Sequence, residues 1–356
     1  MNFELSDEAR MLQDGLRRYL GDAYGADVRK AVQDGAPAPT VWAGLAEMGV
    51  IGALFTEAQG GFGGTGFDIA LVFEEMGRAG AVDPLIESGL LAGGLLAEHG
   101  DPGGHVEAIV GGGMQIAFAH GEPGGRYASA IRTSAEDGRL TGRKSVVVGA
   151  PQADLLLVSA VEDGVTSLFL VEPAKVSMRP YPLTGGGMAA EISLDAAPGT
   201  RIARDAGASI ARAEARAALA VCAEALGLME RIRGLTVEYL RTRKQFGRPL
   251  GSFQVLQHRM ADLLIEIEQA RSAVVNLSGH VDAEPALRDL HVSAAKNLIG
   301  TVAKQVVEES IQMHGGIGMT AEYELAHLAR RLTMVDHRFG DALFHLERFI
   351  ALRAAA

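Results

Sequence analysis

The sequence predicts an α+β protein in which helices come first, a small β domain follows and a helical bundle completes the chain. Apolar residues recur at helical spacing over the first third of the chain and again after about residue 205. Between these regions, short β-branched segments alternate with Gly, Pro and Asp, a pattern typical of strands joined by turns. We place the predicted domains at residues 1–112, 113–204 and 205–356.

Composition limits the classes of function. The 356 residues carry a formal net charge of -11, which argues against a general nucleic-acid binder. No run of about eighteen apolar residues occurs, and the N-terminus lacks the apolar core of a signal peptide, so we expect no membrane span. The single cysteine, Cys222, excludes an internal disulfide and fits a reducing cytoplasm.

The first domain is predicted to be helical. Ser6 is a candidate N-cap with acidic residues in the turn that follows it. Further helices are predicted over residues 41–54 and over the segments FDIALVFEEMGRAG and PLIESGLLAGGLLAEHG, with a glycine-rich loop, EAQGGFGGTG, after the first of them.

The middle domain is predicted from segments rich in β-branched residues. SVVVGA, DLLLVSAVEDGVTSLFLVE and AEISLDA have the composition of strands, and the Glu-Asp-Gly inside the second predicts a hairpin turn. We therefore expect a compact, barrel-like β domain of roughly ninety residues.

Helices return in the last domain. One long Ala-rich helix is predicted from Ala206 to Thr242, and another ends at Gly315-Gly316. The final helix is expected from about Asp341 to Ala354. Between the first two, an apolar stripe at helical spacing predicts one more helix; it comprises Leu256, Met260, Leu263, Leu264 and Ile267.

A basic stretch, RTRKQFGRPLGSFQ, interrupts this acidic chain at residues 241–254. Its four cations are Arg241, Arg243, Lys244 and Arg248. Cations at the end of a helix compensate its dipole, and that explanation alone accounts for the pattern. A cationic helix end beside the N-terminus of the next helix is equally suited to bind a phosphate or pyrophosphate.

A glycine cluster, IQMHGGIGMT, occupies residues 311–320. Gln312 can hydrogen-bond a ligand, and the glycines permit close approach, although a plain helix end explains them too. His314 has no second His or Cys at metal spacing, so we predict a structural histidine and no metal. No glycine-rich loop follows a strand and opens a helix, so neither a P-loop nor a Rossmann site is indicated.

These motifs, in this order, resemble the acyl-CoA dehydrogenase family along essentially the whole chain. RTRKQFGRPLGSFQVLQHRMADL is similar to its R-x-x-FG-x-x-L/I-x-x-x-Q signature, and SIQMHGGIGMTAEYELAHLARR to its Q-x-x-GG-x-G-x-x-x-E-Y element. The EPGG loop and GRKSVVVGAPQADLLLV resemble its T-E-P-x-A-G-S-D loop and K-x-W-I-T-N strands. The resemblance implies an N-terminal helical domain, a middle β domain and a C-terminal four-helix bundle.

The resemblance also implies FAD as cofactor. Arg243, Gln245 and Phe246 correspond to residues that hold the pyrophosphate and adenosine side of the flavin. The same surface and its second wall would be completed by Phe253 and Gln254, and by Gln312, Met313, His314, Gly315 and Gly316.

Other positions depart from the family pattern. Gly124-Gly125-Arg126-Tyr127 replaces the usual Ala-Gly-Ser-Asp, and Val146 replaces a Trp that flanks the flavin. Phe339 stands where many members carry the catalytic Glu, and Ala217 is near the position of the alternative Glu. Asp341, Asp336 and Glu214 remain as candidate carboxylate bases, although each also fits a surface acid or helix cap.

This degenerate pattern resembles the small subunits of heteromeric acyl-CoA dehydrogenases, including those of pimeloyl-CoA dehydrogenase and of steroid side-chain enzymes. The resemblance implies an acyl-CoA substrate, a tetramer with a larger dehydrogenase subunit and an electron-transfer flavoprotein as acceptor, in fatty acid or steroid side-chain catabolism. Two alternatives stay open: a homomeric dehydrogenase with a displaced carboxylate base, and a non-catalytic scaffold subunit.

Overall fold

A computed structural model describes residues 6–25, 27–28, 31, 41–125, 127 and 130–355 of the chain. The chain divides into two compact units. The first comprises residues 1–39, 66–82 and 218–356, and the second comprises residues 40–65 and 83–217.

Helices form the N-terminal part, as predicted. The Ser6 hydroxyl accepts a hydrogen bond from the Ala9 N–H at 3.2 Å, which confirms the predicted N-cap. A π-helical segment, Ile86–Gly93, runs directly into the fourth helix. The helices are α1 (Asp7–Ala23), α2 (Trp42–Glu47), α3 (Gly66–Ala79), α4 (Gly94–Glu98) and α5 (His105–Val110).

The helix predicted over residues 41–54 is shorter than expected. α2 ends at Glu47, and only a 3₁₀ turn, Gly52–Leu54, follows it. Gly49 adopts a left-handed φ of 76°, a conformation that terminates an α-helix and that glycine adopts without steric cost. The apolar spacing therefore predicted correctly which residues are buried, but the prediction of one continuous helix was wrong.

An eight-stranded sheet forms the middle part, and its strands are mostly antiparallel. Its order is β6-β7-β3-β2-β4-β5-β8, with β1 pairing in parallel with β4. The strands are β1 (Ile116–Ala119), β2 (Ser134–Glu136), β3 (Arg139–Val148), β4 (Leu155–Glu162), β5 (Val165–Val171), β6 (Ser177–Pro182), β7 (Met188–Pro198) and β8 (Thr200–Ala203).

The predicted hairpin is confirmed between β4 and β5. Asp163 and Gly164 form its two-residue turn with φ values of 50° and 82°, which are the positive angles of a type I′ turn. Side chains from several strands, including Leu140, Leu156 and Phe169, are fully buried in one core on the sheet.

Long helices complete the chain. A two-residue hairpin, β9 (Lys244–Gln245) with β10 (Arg248–Pro249), separates the first two of them. No helix in the described part of the chain has the length and apolar character needed to cross a membrane. The helices are α6 (Gly207–Thr242), α7 (Gln254–Ser278), α8 (Pro285–His314), α9 (Glu324–Val335) and α10 (Ala342–Ala355).

In the first unit, α3 and α6 cross at backbone contact. A Cβ atom on Gly227 of α6 would lie 1.9 Å from the Glu74 carbonyl oxygen, and one on Gly77 of α3 would lie 2.0 Å from the Glu224 carbonyl oxygen. Glycine at both positions is therefore a condition for this crossing, since any side chain would separate the helices.

We expect Gly227→Ala to lower the free energy of unfolding by roughly 3 kcal/mol, because the added methyl group overlaps a backbone oxygen. Gly234→Ala is the matched control, because Gly234 is exposed on the same helix and no atom outside its own helical turn lies within 4 Å of its Cβ position. That control should stabilise the helix by about 0.5–1 kcal/mol. Equal effects in urea unfolding would contradict backbone contact between α3 and α6.

Candidate functional site

The basic stretch forms a tight hairpin that protrudes after α6. Phe246 and Gly247 occupy its turn with φ values of 53° and 80°, the two positive angles of a type I′ turn. Phe246 is 89% exposed, although it is a large aromatic residue, and its ring contacts Phe253 edge-on. The turn therefore presents an aromatic side chain to solvent.

The hairpin concentrates positive charge. Arg241, Arg243, Lys244 and Arg248 are exposed, and within the described residues none of them forms an ion pair with a carboxylate. The Arg248 guanidinium lies 4.0 Å from the centre of the Phe253 ring. α7 begins immediately afterwards, and no side chain caps its N-terminus. α6 ends at Thr242, so Arg241 lies in its last turn, and Arg243, Lys244 and Arg248 follow it.

The glycine cluster forms the end of α8. Gly315 has a φ of 68°, and apart from adjacent residues of the chain no atom lies within 4 Å of the Cβ positions of Gly315 and Gly316. Gln312 is exposed, whereas Met313 and His314 are buried. The backbone of the glycine pair and the Gln312 amide are thus accessible to a ligand.

The two motifs meet through one pair of rings. Tyr239 lies in the last turn of α6, four residues before Arg243. Its ring stacks on the His314 ring with the centroids 4.5 Å apart. The His314 Nδ1 lies 2.8 Å from the Ser310 carbonyl oxygen, and its Nε2 lies 3.4 Å from the Tyr323 hydroxyl. The base of the cationic hairpin therefore lies beside the glycine end of α8 within the first unit.

These residues fit the pyrophosphate and adenosine end of FAD. The hairpin offers cations without acidic partners, α7 offers an uncapped N-terminus, and the glycine pair permits close approach of a ligand. A dinucleotide pyrophosphate is an anion of the kind that such an arrangement binds.

Two of the candidate bases, Asp336 directly after α9 and Asp341 directly before α10, bind the start of α10 through their side chains. The Asp341 Oδ1 accepts a hydrogen bond from the Phe344 N–H at 2.8 Å, and Asp341 is 8% exposed. The Asp336 Oδ1 accepts one from the Ala342 N–H at 3.1 Å. Both carboxylates thus satisfy backbone N–H groups of the helix N-terminus.

Between these two acids, Phe339 takes a left-handed φ of 54° and Gly340 one of 104°. Beneath them, the buried His345 Nε2 donates to the Phe339 carbonyl oxygen at 2.8 Å. Burial lowers the pKa of His345 to about 4, so this imidazole is neutral at pH 7. The hydrogen bond from His345 holds the backbone of this segment, but the Phe339 side chain has no proton-accepting group.

Glu214, the third candidate, lies in the second unit on the first turns of α6. Its Oε1 is 3.9 Å from the His120 Nε2, and its side chain is 41% exposed. His120 also contacts the Ser159 hydroxyl through Nδ1 at 2.9 Å. Burial, with the nearby Lys144 charge, lowers the pKa of His120 to about 4, so the residue beside Glu214 is a neutral imidazole. Ala217 is completely buried.

A buried ion pair anchors the EPGG loop in the second unit. The Lys144 Nζ donates to the Glu122 Oε1 at 2.9 Å, and both side chains are almost entirely buried. Glu122 also accepts hydrogen bonds from the Arg132 N–H and from the N–H and hydroxyl of Thr133. Arg126, Ala128 and Ser129 of the same loop lie outside the described residues. Sequence reasoning found the loop but missed its partner, which β3 supplies.

The strand that corresponds to the family's Trp-bearing segment contains a bulge. Val146 has a φ of 53° and is 54% exposed, and the pairing of β3 with β7 shifts register between Lys144 and Val147. A β-branched residue with positive φ is strained. Glu191 holds the bulge, since its Oε1 accepts the Val146 N–H at 3.2 Å and the Tyr181 hydroxyl at 2.7 Å.

We expect Glu122→Gln to lower the free energy of unfolding by roughly 3–5 kcal/mol at pH 7, because Lys144 would remain buried without a counter-charge. In the wild type burial lowers the pKa of Lys144 to about 8, so the pair is ionised at pH 7, and the variant must either bury the ammonium group unpaired or release its proton. Glu136→Gln, an exposed acid on β2, is the control and should change stability little. If urea unfolding gave Glu122→Gln the same free energy of unfolding as the wild type, the ion pair would contribute little to stability.

The free energy of unfolding should also depend on pH through Glu122. Burial opposes ionisation of Glu122, but hydrogen bonds from Thr133 and Lys144 outweigh it and lower its pKa to about 2. The stabilisation is therefore complete above about pH 4.5, the ordinary value, and is lost as pH falls towards 2. In urea unfolding between about pH 4.5 and 2, the free energy of unfolding of the wild type should fall as pH falls. The decline should be shallower in Glu122→Gln, which lacks this carboxyl group.

Comparison with known proteins gives concordant matches. The family profile described as acyl-CoA dehydrogenase, N-terminal domain, matches residues 6–103, and the profile for the C-terminal domain matches residues 208–340. Acyl-CoA dehydrogenase FadE27 of Mycobacterium tuberculosis is 29% identical over 322 residues, covering 86% of each chain. Acyl-CoA dehydrogenase IpdE2 of the same organism is 29% identical, with coverage of 90% and 89%.

Solved structures match the chain along its length as well. A variant of the Tcur3481-Tcur3483 steroid ACAD superposes with a TM-score of 0.88 at 30% identity, covering 98% of both chains. A chain of the ChsE4-ChsE5 complex from Mycobacterium tuberculosis superposes with a TM-score of 0.89 at 25% identity over the full length of both. The chain therefore belongs to the acyl-CoA dehydrogenase family of FAD-dependent oxidoreductases.

Proposed function

We propose that this chain is the small subunit of a heteromeric, FAD-dependent acyl-CoA dehydrogenase and works with a larger dehydrogenase subunit. The supporting observation is the segment at residues 336–341. Phe339 stands at the family's base position, and the two flanking carboxylates each accept a backbone N–H of α10. The larger subunit would supply the base that this segment lacks.

Dehydrogenation of an acyl-CoA requires removal of a weakly acidic α-proton and of a hydride from the β-carbon. A carboxylate performs the first task, best with a pKa raised by desolvation. Bound FAD supplies the hydride acceptor. Hydrogen-bond donors must also stabilise the negative charge that develops on the thioester oxygen.

Asp336 and Asp341 are poorly suited to take the α-proton. Each carboxylate already accepts a backbone N–H of α10, so its oxygen is engaged by the helix rather than available to a substrate. Moving either side chain towards a substrate would also break the cap of α10.

What this chain contributes is a surface for the cofactor. Arg243, Gln245 and Phe246 on the hairpin, with the Gln312–Gly316 segment of α8, would hold the pyrophosphate and adenosine side of FAD. Phe253 and Gln254 extend this surface. We further propose a tetrameric complex in the cytoplasm that acts on a fatty acyl or steroid side-chain CoA ester and passes electrons to an electron-transfer flavoprotein.

One observation favours a homomeric enzyme as second candidate. The Glu214 Oε1 lies 3.9 Å from the His120 Nε2 and its side chain is 41% exposed, whereas Asp336 and Asp341 each accept a backbone N–H of α10. Glu214 would then serve as the base within this chain.

The double variant Arg243→Ala/Gln312→Ala should lose flavin, because it removes a charge and an amide from the two sides of the proposed pyrophosphate surface. The flavin absorbance per protein measures this directly in the purified complex. Arg241→Ala is the matched control, since it removes the same charge two residues earlier and should retain flavin. Full flavin retention by the double variant would favour a scaffold subunit without flavin contact.

The chain expressed alone should be at least about 100-fold less active than the chain co-expressed with its larger dehydrogenase partner, because a missing base removes a factor of that size. Reduction of an artificial electron acceptor by acyl-CoA measures the activity. A yellow, fully active protein without a partner would contradict the heteromer. If Glu214→Gln then abolished that activity, the homomeric enzyme would replace it.

A further inference from the structure

α7 carries apolar side chains on two of its faces. Met260, Leu263 and Ile267 of the predicted apolar stripe are buried. Leu264, which belongs to the same predicted stripe, and its neighbour Ile265 face solvent instead, with 36% and 59% of their surface exposed. A helix that packs only within its own domain normally carries polar residues on its solvent face. The exposed pair therefore indicates a surface that binds something else.

Both exposed residues line an open groove between α7 and α8 in the first unit. The groove has a volume of about 710 Å³, and Ala273 of α7 and Leu298 of α8 complete its apolar lining. Its polar residues are Glu268, Gln269 and Ser272. Because the side-chain ridges of one helix pack into the grooves of another, a groove along two helices has the shape that accepts a third.

The groove is held at both of its ends. Near the start of α7, the Arg259 Nε donates to the Glu309 Oε2 at 2.7 Å, close to the end of α8. Just after the end of α7, the His280 ring stacks on the His291 ring of α8 with the centroids 3.8 Å apart. The two helices are therefore antiparallel and joined at both ends, so the groove is already formed before a partner binds.

The charged residues around Ile265 on α7 are acidic. Asp262, Glu266 and Glu268 lie within one turn of it along the helix. Among the described residues, neither Asp262 nor Glu266 forms an ion pair with a cation. The Glu268 Oε2 lies 3.6 Å from the Arg271 Nε, but that guanidinium is already bonded to another glutamate at 2.7 Å. The groove is therefore bordered by negative charge.

α8 does not neutralise this charge. Its exposed cation Lys304 lies six residues after Leu298, and the Lys304 Nζ is 3.9 Å from the Glu308 Oε1 of the same helix. The two charges of this pair cancel and add nothing to the balance around the groove. The electrostatic setting therefore favours a partner that brings cations to the rim of an apolar contact.

A second copy of this chain is a poor occupant of the groove. In a two-fold symmetric dimer, the same patch of each copy faces the other. If the face around Ile265 met itself, the acids beside it would face the same acids of the second copy, and juxtaposed like charges oppose association. A partner whose apolar residues are bordered by Lys or Arg avoids this repulsion and can pair with the acids.

We propose that the groove between α7 and α8 is the docking site for an amphipathic helix of the larger dehydrogenase subunit, with Lys or Arg residues beside its apolar stripe. Recognition of this kind uses apolar anchors spaced three and four residues apart, and Ile265 and Leu298 would contact them. Asp262, Glu266 and Glu268 would pair with the cations. This inference rests on the proposed function, because that function supplies the partner.

The test is sedimentation velocity of the purified complex of the two subunits over a dilution series, which gives their Kd. Ile265→Asp should raise the Kd at least about tenfold, because it places a carboxylate in the apolar contact. Met11→Asp is the matched control: Met11 is 76% exposed on α1, and this variant should keep the wild-type Kd.

A charge reversal tests the chemistry of the partner. Asp262→Lys should raise the Kd roughly tenfold at low salt, because it opposes the partner's cations. The wild-type Kd should rise with ionic strength, and this dependence should be weaker in the variant. Asp14→Lys, which reverses an exposed acid on α1, is the control. Ile265→Asp and Asp262→Lys should keep the urea midpoint of the wild type, since both side chains are exposed.

The outcomes separate the two proposals. If the wild-type chain formed no complex with a larger dehydrogenase subunit, the proposed function would be overturned. If Ile265→Asp and Asp262→Lys assembled with that subunit as tightly as the wild type, the docking site alone would be overturned. If the chain by itself formed a dimer that Ile265→Asp dissociated, the occupant would be a second copy, which would also overturn the docking site.

Discussion

The stack of Tyr239 on His314 is the contact on which the candidate cofactor surface depends. It joins the C-terminal ends of α6 and α8 at the points where the cationic hairpin and the glycine pair begin. His314 also contacts the Ser310 carbonyl group and the Tyr323 hydroxyl. Burial lowers the pKa of His314, so the stack is made by a neutral ring and does not depend on charge near neutral pH. Two motifs separated by about seventy residues thereby form one surface.

Local sequence patterns predicted the parts of the fold that local physics determines. The β4–β5 hairpin followed from Glu-Asp-Gly, since only residues that tolerate positive φ fit its turn. The N-cap at Ser6 and the end of α8 at Gly315 followed from capping chemistry. The end of α2 was missed, because apolar spacing continued past Gly49 while the backbone did not.

Features that depend on distant residues could not be predicted in this way. Lys144 and Glu122 are separated by 22 residues, and only the position of β3 brings them together. The exposure of Ile265 is likewise a property of its surroundings. At the candidate base, sequence offered three acids of equal standing. Geometry separates them, because two accept N–H groups of α10 and Glu214 lies beside His120.

The hydrogen bonds by which Glu191 holds the bulge at Val146 affect how the second unit responds to acid. Burial opposes ionisation of Glu191, but its hydrogen bonds from Tyr181, Val146 and Ser145 outweigh this and hold its pKa below the ordinary value. The acceptor that maintains the strained backbone therefore stays charged when ordinary glutamates begin to protonate. The shape of this strand end is thus insulated from moderate acidification, and it should change only when the surrounding domain itself begins to unfold.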